Sequence, residues 1–168
     1  STYYVRDPQG NVMATYDETY DATAMTTSYK LKERDIYGSA RLGMKTDTLE
    51  LIGATIDTSN FTHTVGYKFY ELANHLGNVL SVVTDKIIPK DWDNDTIVDS
   101  YVADISSATD YYAFGSPMKA RDFTSGGYRY AFNGQEKDDE VSGEGNTMSA
   151  EFWEYDSRLG RRWNCDPV

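Results

Sequence analysis

The chain has 168 residues, a net charge of −11 and a pI near 4.5, and 14 of its residues are tyrosine. Domains that grip nucleic acid or an anionic membrane carry excess positive charge, so this acidity disfavours both partners, and an aromatic content of 14% disfavours intrinsic disorder. No apolar run approaches the ~20 residues that cross a bilayer, so no transmembrane segment is expected; the single cysteine, Cys165, allows no internal disulfide and reads as a small near-core residue.

Short runs rich in Tyr, Val, Thr and Ile, punctuated by Gly, Asn and Asp, predict strands. In chain order they are 3–6, 12–16, 49–56, 63–72, 79–84, 97–105, 109–114, 128–132 and 148–155. Within the fourth run Val65, Tyr67 and Phe69 alternate with Gly66, Lys68 and Tyr70, the pattern of a strand with one strongly apolar face. The best helix candidate is 29–37, which is short and weakly patterned. The expected fold class is therefore all-β, built from antiparallel hairpins with little helix.

Internal repetition sharpens that reading. Residues 3–12, Tyr-Tyr-Val-Arg-Asp-Pro-Gln-Gly-Asn-Val, parallel residues 70–79, Tyr-Glu-Leu-Ala-Asn-His-Leu-Gly-Asn-Val. Looser copies stand at 37–43 and 155–160, and a shorter one at 111–115. Each reads as an aromatic strand, a polar turn hinged on glycine, and an apolar strand leaving. Gly10, Gly43, Gly77 and Gly160 are the expected turn glycines, Asn133-Gly134 marks a further hairpin, and Gly126-Gly127 and 143–146 mark two more turns. One hairpin has too small an aromatic face to be stable alone, so successive hairpins are expected to stack into a continuous sheet in which Tyr3, Tyr70, Tyr112 and Tyr155 pack.

Asp91, Asp93, Asp95 and Asp99 form a D-x-D-x-D-x-x-x-D loop. Alternating carboxylates in a tight loop can turn several oxygens to one centre, which suits Ca²⁺. An EF-hand is excluded, because Thr96 stands where its glycine belongs and Val102 where its bidentate glutamate belongs. The other reading is an acidic, solvated hairpin tip. His63 and His75 are not at ligand spacing from each other or from Cys165, no Ser/His/Asp arrangement has a nucleophile context, and Trp92, Trp153 and Trp163 read as packing residues.

The words His75-Leu-Gly-Asn-Val79, Asp110-Tyr-Tyr-Ala-Phe-Gly115, Tyr128-Arg-Tyr-Ala-Phe-Asn-Gly134, Glu136-Lys-Asp-Asp-Glu140 and Tyr155-Asp-Ser-Arg-Leu-Gly-Arg-Arg-Trp-Asn-Cys-Asp-Pro167 resemble the RHS/YD-repeat family. More narrowly, they resemble the RHS repeat-associated core as written in Bacteroidetes proteins. The likeness divides the chain into a YD-repeat-like β segment, 1–66, and a core segment, 67–168, the two read as one continuous β unit cut from a longer protein. It implies hairpins forming part of a curved sheet or shell, secretion or surface display with type IX export as the natural route, and a C-terminal cargo domain, often a toxin, enclosed by the shell. The partners implied are the remainder of the shell, that cargo and the outer-membrane export machinery. Members also cleave themselves after the core through aspartates of two Asp-Pro motifs; Asp166-Pro167 matches the first, and the second would lie beyond Val168, so no enzyme activity is expected of this segment itself. The alternatives are a surface adhesin or passenger module, and a fragment of a self-cleaving aspartyl autoprotease.

Overall fold

A computed structural model describes residues 1–46, 48–52, 64–125, 128–150 and 153–163. The larger sheet holds β1 (Thr2–Arg6), β2 (Val12–Asp21), β3 (Thr26–Tyr37), β4 (Arg41–Lys45), β5 (Leu49–Glu50), β6 (Lys68–Ala73), β7 (Val79–Lys90), β8 (Ser100–Tyr111) and β9 (Pro117–Thr124). Its strand order is β1-β2-β3-β4-β6-β7-β8-β9, with β5 added to β3 and neighbours antiparallel. A smaller antiparallel sheet is formed by β10 (Glu136–Lys137), β11 (Thr147–Ser149), β12 (Glu154–Asp156) and β13 (Arg161–Arg162), in that order. Among the described residues helix is confined to one 3₁₀ turn, Phe132–Gly134, and one α-turn, α1 (Asp139–Ser142). Apart from β5, both sheets follow chain order, as expected when strands return through hairpins onto their predecessors. The order is open: among the described residues the end strands β1 and β9 are not paired with each other.

The chain divides into two compact units, Ser1–Tyr70 with Thr84–Ile88, and Glu71–Val83 with Pro89–Val168. In the first, Tyr3 pairs with Tyr16, Tyr16 with Leu31, and Leu31 with Leu49, so these side chains form one row across four strands. Leu31 is buried in the middle of the row, while Tyr3 and Leu49 at its ends stay half exposed. The Tyr3 hydroxyl donates to Glu18 Oε2 and the Tyr29 hydroxyl to Glu18 Oε1, both at 2.6 Å. Ala14 and Met44 are buried as well. The second unit buries Val79, Val82, Tyr128, Ala131 and Met148, together with the polar Asn78, Thr147, Asp156 and Ser157.

Several expected elements are corrected. Residues 29–37 are not helical; they lie in β3, because Tyr29 and Leu31 alternate with Lys30 and Lys32, the period of a strand. Lys32 meets Asp17 of the neighbouring strand at 3.4 Å and Lys30 meets Glu50 at 3.9 Å, pairings that a helix would break. Val65 and Gly66 form a turn before β6 begins at Lys68, so Val65 and Tyr67 stay exposed and do not extend an apolar face. Gly66 N–H is held there by Asp85 Oδ1 at 2.6 Å. The runs 97–105 and 109–114 merge into the single strand β8, with Ile97 and Val98 left in the preceding loop. Within 128–132 only Tyr130 makes a bridge, to Glu136. The run 148–155 is two strands, β11 and β12, of one hairpin. Of 49–56, β5 takes only Leu49 and Glu50, Leu51 and Ile52 lie beyond the strand, and 53–56 lie outside the described residues.

Candidate functional site

Four hairpin corners share one backbone plan. At 7–11, 74–78, 112–116 and 131–135 the first N–H donates to the fifth carbonyl at 2.9–3.0 Å, and the fourth residue, glycine, donates back to the first carbonyl at 2.8–3.1 Å. Gly10, Gly77 and Gly115 have φ of 92°, 83° and 89°, the left-handed position that a three-residue hairpin loop needs after its type I turn. The corner at 131–135 differs in placing both Asn133 (φ 54°) and Gly134 (φ 64°) left-handed. In the two closest sequence copies the first residue carries an acceptor side chain. Asp7 Oδ1 takes Gln9 and Asn11 N–H, both at 2.9 Å, and Asn74 Oδ1 takes Leu76 N–H at 2.9 Å and Asn78 N–H at 3.1 Å. The Asn11 side chain beside Asp7 holds that carboxyl below its usual range. Gly160 closes a wider corner, donating to Asp156 O at 2.9 Å.

Gly43 is the exception among the expected turn glycines. It lies inside β4, paired with Ile36 and Tyr70, and the β3–β4 turn is made instead at Gly38, whose N–H donates to Ala40 O at 2.9 Å. The tyrosines are likewise dispersed: Tyr3 is on β1, Tyr70 on β6, Tyr112 opens a corner with its ring exposed, and Tyr155 on β12 donates to Phe114 O at 2.9 Å.

The second unit adds an interlock that the sequence words alone do not reveal. A Cβ on Gly115 would collide with the Phe132 ring, and one on Gly160 would stand 3.0 Å from Phe114 Cγ. Thus the phenylalanine of one corner covers the glycine of another, and Phe132 also stacks on Tyr155 and meets Tyr111 edge-on. The Tyr111 hydroxyl donates to Val79 O at 2.8 Å, and burial pushes its pKa up to about 12. The signal for the interlock was present as Phe-Gly and Phe-Asn-Gly words, but which glycine meets which ring depends on the register.

Gly77→Val separates conformation from packing. Nothing lies within 4 Å of a Cβ there, so the cost is that of forcing a β-branched residue to positive φ, about 1–2 kcal/mol. Chemical denaturation should show a lowered midpoint, and equal midpoints would remove Gly77 from the hinge positions.

In the acidic loop between β7 and β8, Asp91, Asp93 and Asp99 each bring an oxygen within 4.8 Å of the others, whereas Asp95 is outside the group. The same carboxylates also cap the loop's backbone. Asp91 takes Thr96 N–H at 2.9 Å and Asp95 N–H at 3.3 Å, Asp95 takes Ile97 N–H at 2.8 Å, and Asp99 takes Trp92 N–H at 2.7 Å. Partial desolvation pushes the Asp91 carboxyl up, but the N–H groups of Thr96, Asn94 and Asp95 outweigh it and leave the pKa lowered. These bonds account for the D-x-D-x-D spacing as turn chemistry. The three clustered oxygens could supply part of a Ca²⁺ shell, which needs 6–8 oxygens in all. Asp166, Pro167, Cys165 and His63 lie outside the described residues; His75 is exposed in the 74–78 corner.

No family model, no curated protein and no solved structure matches this chain.

Proposed function

We propose that the chain is a structural segment of a secreted RHS-type protein, a β wall that helps to enclose or cap a C-terminal cargo domain. The observation that carries this reading is the repeated glycine corner, one backbone plan used at 7–11, 74–78 and 112–116. A hairpin meander of this kind extends by adding equal units, and a curved wall is built from the same step repeated. Its role is mechanical, and any calcium in the acidic loop would brace one hairpin tip.

The test uses the full-length gene product. Protease is expected to spare the cargo domain in the native protein and to digest it once the wall carries Gly43→Ala. Cargo cut equally fast in both proteins, or a reading frame without further hairpin words upstream or a separate domain downstream, would overturn the proposal.

A surface adhesin or passenger module is the second reading. It is favoured by the apolar side chains left in solvent on the strands, among them Tyr4, Tyr20, Tyr101 and Phe123. Self-cleavage rests on Asp166 alone and has no support from the described residues.

A further inference from the structure

Three side chains of the first unit meet at their tips on one face of the sheet. Tyr3 of β1 stands opposite Tyr16 of β2, Glu18 lies two residues beyond Tyr16, and Tyr29 of β3 stands opposite Glu18. Strand alternation therefore puts Tyr3, Glu18 and Tyr29 on the same side. The two phenols occupy different oxygens of the one carboxylate, Tyr3 on Oε2 and Tyr29 on Oε1, each at 2.6 Å, the length of a charge-assisted O–H···O⁻ bond. Glu18 pushes both phenols above their ordinary pKa, and the Tyr29 and Tyr3 hydroxyls hold the Glu18 carboxyl below its own. Near neutral pH the protons thus sit on the tyrosines and the acceptor is empty.

Both rings also reach solvent, with Tyr3 49% and Tyr29 38% exposed. The other tyrosines supply a contrast. Tyr20, Tyr101 and Tyr112 are more exposed, yet their hydroxyls donate to no acceptor among the described residues. Tyr128 donates to Glu71 Oε1 at 2.6 Å but is only 4% exposed. Tyr3 and Tyr29 combine access with a base in contact, and they share that base. A phenol gives up an electron far more readily when its proton can leave at the same moment to an acceptor already hydrogen-bonded to it.

We propose that Tyr3 and Tyr29 form an oxidative cross-linking site, joined as dityrosine by hydrogen peroxide and a haem peroxidase, with Glu18 as the proton acceptor for both. Each phenol gives one electron to the oxidised haem and its hydroxyl proton to Glu18, which passes it to water. The two phenoxyl radicals form one bond between carbons ortho to their oxygens, and each displaced ortho hydrogen returns to its ring oxygen and restores the hydroxyl. The net loss is two electrons and two protons, which reduce one peroxide to two waters. The new bond ties β1, at one end of the strand order, to β3 across β2. This site stands independently of the enclosing role.

The test treats the full chain with a haem peroxidase and limiting hydrogen peroxide, follows dityrosine fluorescence, and locates the linked residues by fragmentation in a mass spectrometer. The expected product is a monomer lighter by two hydrogens, with Tyr3 joined to Tyr29 before Tyr20 or Tyr101 reacts, and with a raised thermal midpoint because the link closes a loop. Tyr3→Phe should abolish the link and leave the midpoint of the untreated chain unchanged, since its ring is exposed. Glu18→Gln keeps an acceptor but no base, and should slow linkage about tenfold or more; should that variant not fold, the preference of the native chain for Tyr3 and Tyr29 over the more exposed Tyr20 and Tyr101 reads the same dependence. Reaction of Tyr20 or Tyr101 first, linkage of Tyr3 to Tyr16 or between chains, or native rates in Glu18→Gln would overturn the proposal.

Discussion

Gly43→Ala is expected to destabilise the first unit by about 3 kcal/mol or more, the largest effect of any single methyl group added to the described glycines. The new Cβ would fall on the backbone carbonyl of Phe69, with Tyr70 Cα 3.0 Å away. A side chain in the way could rotate; a paired strand cannot, because Met44 is in register with Phe69, and Gly43 with Tyr70. Relief therefore requires β4 and β6 to separate, which breaks ladder hydrogen bonds and uncovers Met44, only 3% exposed in the native fold. Urea denaturation and amide exchange of β4 and β6 would measure it. A midpoint equal to that of the native protein, with protected β4 amides, would show that the close approach is not needed. Comparison with Gly77→Val divides the two roles of glycine here: one supplies a backbone angle, the other supplies absence of volume.

Asp156→Ala is expected to cost about 2–4 kcal/mol and to change the acid limb of the stability curve. Asp156 is 1% exposed. Its Oδ1 accepts Arg158 N–H at 2.9 Å, Leu159 N–H at 3.2 Å and Arg158 Nε at 3.3 Å, and its Oδ2 accepts Arg158 Nη2 at 2.9 Å. Beside it Ser157 Oγ donates to Asn146 O at 3.0 Å, so the corner that closes at Gly160 is a buried polar knot. The Arg158 guanidinium, and then the backbone N–H groups of Arg158 and Leu159, hold the carboxyl below its ordinary 3.8 despite the upward push of burial. Because the folded-state pKa is the lower one, the carboxylate contributes its full stabilisation above the unfolded-state value. That contribution is lost as pH falls through the folded-state pKa. Thermal melts between neutral pH and about pH 2 should therefore fall less steeply for Asp156→Asn than for the native chain. Parallel curves would show that the charge of Asp156 does not stabilise the corner.

Periodicity of two and glycine-bearing turn words made the all-β class legible, along with the hinges at Gly10, Gly77, Gly134 and Gly160. These are local properties: a positive φ or an Asx side chain within five residues fixes a corner whatever lies around it. The strand character of 29–37 is not legible locally, because the partners Asp17 and Glu50 that meet Lys32 and Lys30 are remote in sequence. The starts of the strands expected at 63–72 and 97–105 fall later, at Lys68 and Ser100, because an apolar residue beside a turn does not announce which side of the turn it occupies. The acidic loop was legible as a turn, but the grouping of Asp91 with Asp93 and Asp99 to the exclusion of Asp95 was not.

Residue order alone thus decided where the ribbon doubles back, since that choice is made by backbone angles and neighbouring acceptors. Register decided the rest. Gly43 became a point of contact between strands because Phe69 and Tyr70 arrive opposite it from far along the chain. Gly115 became the seat of Phe132 for the same reason, and Asn78 came to accept the Asn133 N–H from 55 residues away. A contact between distant residues depends on their separation in space, and no spacing along the chain encodes it.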